Sequence, residues 1–124
     1  MSAGESISAR AMASVAKPLP ENEHPLSEQF RLVAKAWADL DGAARMLEET
    51  KTANLSTMMK RLGDIPAAHA ERDVKASPEW HDFIKRMVET RTAANIKKVQ
   101  LEYIRMKAAE WQSAEANARQ ERRL

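Results

Sequence analysis

The residues through which this chain can do chemistry are three histidines, a set of carboxylates and a concentration of cations in its C-terminal half. His24, His69 and His81 share no helical spacing, and the paired histidines of a helical zinc site are absent. With no cysteine there is no thiolate, disulfide or sulfur-ligated metal chemistry to expect. Ser56, Ser77 and Ser113 have no base beside them in sequence. The glycines stand alone at Gly4, Gly42 and Gly63, so no glycine-rich phosphate cradle forms. Carboxylates such as Glu48 and Glu49 alternate with Arg45 and Lys51, which reads as a solvated salt-bridging face. No catalytic residue, metal or cofactor is expected, and the chain reads as non-enzymatic.

The cations are more informative. Between Lys85 and Lys107 seven basic residues face two acids, a net of five positive charges in a chain whose total is only +2. Arg91, Lys98 and Arg105 recur every seven residues, which makes a ridge along a helix, and Lys97 and Lys107 flank it. Such a ridge can follow phosphates with salt-sensitive, sequence-indifferent affinity, so these five residues are candidate DNA contacts. The competing reading is that they flank a coiled-coil seam, cover it with their aliphatic stems and pair with acids of a facing helix. Tyr103 and Trp111 either stack bases or pack in the core.

Two long helices must position these side chains. Ser27 is a candidate cap, after which Phe30, Val33, Trp37, Leu40, Ala44 and Leu47 follow in steps of three and four, a heptad seam. The register continues through polar Lys51 and Asn54 to Met58 and Leu62, and Gly63 with Pro66 stops it, so one helix is predicted over about 27–62. Lys51 and Asn54 either fix the register of the seam or mark where the hairpin opens. Residues 63–77 form an elbow with a short helical turn at Ala67 to Lys75. Its densely charged Glu71, Arg72, Asp73 and Lys75 are candidate partner contacts. Ser77-Pro78-Glu79 supplies a cap, a first-turn proline and a dipole-facing acid, and no later Pro or Gly interrupts a second helix over about 78–121.

That second helix carries two apolar stripes. Phe83, Met87, Ala94, Leu101, Ile104, Ala108 and Trp111 share one side, while Val88, Ile96, Val99, Tyr103 and Met106 fall nearly opposite. One partner helix covers only the first. Leaving a large apolar side chain in water forgoes about 1.5–3 kcal/mol, so the second stripe is expected to be an oligomer interface about a two-fold axis. The fold expected is therefore all-α: a long antiparallel helical hairpin, coiled-coil-like, assembling into a helical-bundle homo-oligomer, a dimer or a higher even number. Residues 1–24 carry few large apolar side chains and read as a flexible tail, with Ile7, Ala11 and Val15 spaced for a short amphipathic helix against a partner. No run approaches the length of a membrane span and no secretory core interrupts the N-terminus, so no membrane is expected and a cytoplasmic setting is.

Ala53-Asn54-Leu55, the segment Glu71 to Ser77, the segment Lys98 to Lys107 and Glu110-Trp111-Gln112-Ser113 together resemble small uncharacterised helical proteins of phages and prophages, over about residues 30–124. The resemblance implies an accessory protein of phage DNA replication or recombination, in the host cell cytoplasm, that binds DNA. The alternative is an adaptor or inhibitor that binds a host protein through the elbow and the exposed helix faces. It transfers no active-site residue.

Overall fold

The computed structural model describes residues 24–123, and apart from His24 the readings made for the N-terminal tail, including the spacing of Ile7, Ala11 and Val15, lie outside the described residues. Among the described residues there are four helices and no strand: α1 (Leu26–Glu49), α2 (Lys51–Arg61), α3 (Ala67–Lys75) and α4 (Pro78–Arg123). α1 and α4 form the antiparallel hairpin, and α2 with α3 fold over the closed end.

α1 starts two residues earlier than a cap at Ser27 would set it. Pro25 is the cap residue, its carbonyl accepting the Glu28 and Gln29 amides at 3.0 and 2.9 Å, so Ser27 sits inside the first turn without a capping bond. The seam then runs as its spacing requires: Val33 and Ala44 are buried, and Phe30, Trp37, Leu40 and Leu47 are half-buried. At the open end Val33 packs with Leu101 and Ile104, flanked by Phe30, Ala34 and Trp37.

The single helix expected over 27–62 is two. The break falls at Thr50, whose hydroxyl donates to the Met46 carbonyl at 2.6 Å while its own amide bonds the same carbonyl at 3.1 Å. The same hydroxyl bond at Thr57 and at Thr90 leaves α2 and α4 unbroken, so at Thr50 it accompanies the break and does not by itself make it. The break ends the heptad register, so Lys51 is exposed rather than seated in a seam, and Leu62, the last seam residue of the sequence reading, is exposed as well. α2 turns Leu55, Met58 and Met59 toward the closed end instead. Lys51 thus lies outside the seam, while Asn54 is half-buried and shares a cleft with Met58 and Phe83.

Gly63 stops α2 at φ +91°, a backbone region that L side chains rarely adopt. α3 follows Pro66, and its Ala70 and Val74, four apart, are buried. The elbow is thus an amphipathic helix with its own apolar edge. Ser77 joins it to α4 with one hydroxyl: it donates to the Val74 carbonyl at 2.6 Å and accepts the Trp80 amide at 3.3 Å, ending one helix and capping the next. Val74, Trp80 and Phe83 make the closed-end core, against Leu47, Leu55, Met58, Met59, Ile84 and Met87. Trp80 and Phe83 stack with ring centroids 5.6 Å apart.

α4 has 46 residues, roughly 69 Å at 1.5 Å per residue, against roughly 36 Å for the 24 residues of α1. It outruns its partner. Trp111, placed by its spacing on the covered stripe, is 61% exposed: α1 begins level with it, with Pro25, Leu26 and Gln29 across a groove from it.

Candidate helix-docking surface

The outward side of α4 carries five of the ten exposed large apolar side chains of the described residues. Val88, Ile96, Val99, Tyr103 and Met106 are each 54–63% exposed, on the side of the helix turned away from α1. The two-stripe reading of the sequence is therefore what the single chain displays: one stripe covered by α1, the other open. Thr92, Asn95, Ile96, Val99 and Gln100 line a shallow groove of about 350 Å³ at the middle of the open face. A second groove of about 820 Å³ lies at the open end of the hairpin, between Pro25, Leu26 and Gln29 of one strand of the hairpin and Lys107, Ala108 and Trp111 of the other.

The cationic ridge comes out differently from a free phosphate track. Arg91 points into the hairpin and clamps α1: its Nη2 and Nε donate to Glu48 at 2.7 and 2.9 Å, and its Nη1 donates to Asp41 at 2.8 Å. Hydrogen bonds to Glu48 and then to Asp41 hold the guanidinium above its ordinary value, and the same bonds hold both carboxyls below theirs. A cation already shared by two carboxylates offers little to a phosphate. Lys98 lies close enough to add its field to Asp41. Arg105 sits over the Phe30 ring, 5.3 Å from its centroid, and Lys107 over Tyr103 at 5.7 Å. Lys97 is half-buried on the seam side. The structure thus gathers Arg91, Lys98 and Arg105 along the flank of the α1–α4 seam, while Lys98, Arg105 and Lys107 stay exposed.

Sequence reasoning missed Asp41 and Glu48 as partners of Arg91. The signal was present, since the two acids are seven residues apart on α1 and so share one flank of its heptad seam, as Arg91 does on α4. In the elbow, Glu71 and Lys75 pair with each other at 2.7 Å, and Arg72 and Asp73 are exposed on α3. Among the described residues no three His, Asp or Glu side chains come together where a metal ion would sit, and no helix is long and apolar enough to cross a membrane.

The clamp predicts an acid-dependent stability. Asp41 and Glu48 have lowered values in the folded chain, so their contribution is complete above their unfolded range of about pH 4 and is lost as the pH falls through the folded values. Arg91→Gln is expected to lower the urea midpoint at pH 7, by an amount that shrinks with added salt because the pair is partly exposed. At an acid pH below those folded values the variant and the parent should unfold together. An equal gap at both pH values would show that these bonds are not what Arg91 contributes.

No protein family, curated protein or solved structure matches this chain.

Proposed function

We propose that this chain is a non-enzymatic helical docking protein whose contact surface is the outward face of α4. One observation carries the reading: five large apolar side chains stand open on one side of a single helix whose other side is already packed. An apolar surface of this kind on a monomer marks a protein contact. The hairpin supports it by giving the exposed helix a rigid backing, with Val33, Ala44, Ala94, Leu101 and Ile104 buried behind it. The grooves are shallow and open, and their polar lining, His24, Ser27, Gln29, Lys107 and Gln112 in the larger and Thr92, Asn95 and Gln100 in the smaller, holds no carboxylate, which favours a surface for another helix over a pocket for a small substrate.

The test is Val99→Glu with Tyr103→Glu. Both residues are exposed in the single chain, so helicity and melting of the isolated hairpin should hardly change. Every association of the protein, with itself or with another protein, should be lost, because burying the new carboxylates costs more than the contact returns. If the variant travels in the same complexes as the parent, by light scattering and by purification from the cells that make it, this face is not a docking surface.

A DNA-binding role is the second reading, supported by the exposure of Lys98, Arg105 and Lys107 on a chain with a net positive segment. It no longer draws on Arg91. Binding to duplex DNA that weakens steeply with salt and on charge reversal of the three exposed cations would establish it, and no binding at low salt would end it.

A further inference from the structure

We propose that the occupant of the outward α4 face is α4 of a second copy of this chain, lying antiparallel in one defined register. The proposal rests on the docking reading above and adds the identity and direction of the partner.

The outward residues themselves obey a heptad. From Lys85 the positions that face away from α1 step by four and three through Glu89, Thr92, Ile96 and Val99, then onward through Tyr103 and Met106 to Glu110. This second seam is apolar in the middle and charged at its ends, and the charges have opposite order at the two ends. Lys85 opens it and Glu110 closes it. A partner helix running the other way, centred between Lys97 and Lys98, therefore sets Lys85 opposite the second copy's Glu110, and the reverse.

The inner layers of that register also match by size. Ile96 meets Val99 at the centre, on both sides of the two-fold axis. One layer out, the bulky Tyr103 meets the small Thr92. Further out Glu89 meets Met106, with Lys107 of the second copy beside it. Within one chain Glu89 has only a loose pairing, with the Lys85 ammonium 3.9 Å away and both side chains mostly exposed, so it is available to that cation.

A parallel pairing in register does the opposite. It sets Lys85 against Lys85, Glu89 against Glu89 and Glu110 against Glu110, three like-charge layers out of eight, a repulsion that specifies against the arrangement. Val88, exposed beside the seam, has Met106 as its neighbour across the antiparallel interface but another Val88 in the parallel one.

The chain has no cysteine, so introduced thiols report cleanly. Thr92→Cys and Tyr103→Cys chains, mixed and oxidised under mild conditions, are expected to give a disulfide-linked heterodimer. Neither alone should cross-link, because eleven residues separate the two copies of position 92, roughly 16 Å along the helix. As an independent measurement, Lys85→Glu and Glu110→Lys should each weaken self-association by about tenfold, and the double variant should recover it. Cross-linking of Thr92→Cys alone would overturn the proposal in favour of a parallel pair. A dimer with no cross-link in the mixture and no recovery in the double variant would overturn the register. A parent protein that remains a monomer at tens of micromolar would remove the second copy as occupant, and the docking reading is then judged separately by the Val99→Glu, Tyr103→Glu comparison with other proteins.

Discussion

Phe83→Ala is expected to lower the unfolding free energy by about 3–5 kcal/mol, among the largest effects of any single truncation of the described residues. Phe83 is 5% exposed and stacks on Trp80 with the ring planes 25° apart. Around the pair stand Val74 of α3, Leu55, Met58 and Met59 of α2, and Leu47 of α1, so one side chain holds three helices to the fourth. Collapse around a vacated ring is limited here, because α4 is continuous through the site and α2 and α3 are each fixed at their ends by Gly63, Pro66 and Ser77. Domains of this size have about 5–15 kcal/mol in total. The variant should therefore melt early, and its closed end should open first. Urea unfolding followed by circular dichroism measures the loss, and Trp111→Ala is the control: that ring is 61% exposed and its removal should cost no more than about 0.5 kcal/mol. A Phe83→Ala protein within 1 kcal/mol of the parent would mean that the closed end is held by something other than this cluster.

What was legible in the sequence was whatever depends on neighbours along the chain. The three-and-four stepping from Phe30 to Leu47, the Ser77-Pro78 start and the Gly63 stop all express local rules, and each is in place. The second apolar stripe was legible for the same reason, as periodicity on one helix. What was not legible depends on distant partners. Trp111 belongs to the covered stripe by angle, and only the place where α1 begins, level with it, decides that it stands mostly exposed. Spacing leaves Arg91 either a phosphate contact or a seam-flanking partner of acids on the facing helix, and only the antiparallel register decides for the second and picks Asp41 and Glu48, 50 and 43 residues away. Thr50 is a further case. Threonine is not a strong breaker, and the bond that its hydroxyl makes to the Met46 carbonyl is made equally at Thr90 without breaking α4, so no local rule marks the break. The consequence is functional as well as architectural: the cations that looked available are partly spent on the hairpin, and the apolar face that looked surplus is what remains.

That division of labour within α4 predicts the second large effect. Ala44 and Ala94 have no exposed surface at all, one on each long helix, midway between the Val33–Leu101–Ile104 cluster and the closed end. A residue no larger than alanine at both places lets the helices approach closely, and Arg91, one turn before Ala94, depends on that approach for bonds of 2.7–2.9 Å to two carboxylates. Ala94→Leu adds three carbons where there is no free surface. The helices must separate or the leucine must leave its rotamer, at a cost of about 1–3 kcal/mol, and separation stretches the Arg91 bonds as well. The two effects should then be coupled. In a double-mutant cycle Ala94→Leu and Arg91→Gln together are expected to cost less than the two costs added, since the first has already loosened what the second removes. The acid dependence of stability should flatten in Ala94→Leu alone. Ala109→Leu, on an exposed turn of the same helix, is the control and should be neutral. Additive losses would mean that the alanines and the clamp act independently. An Ala94→Leu protein as stable as the parent would mean that the spacing of α1 and α4 is set by the large side chains of the two clusters, with the alanines merely fitting between them.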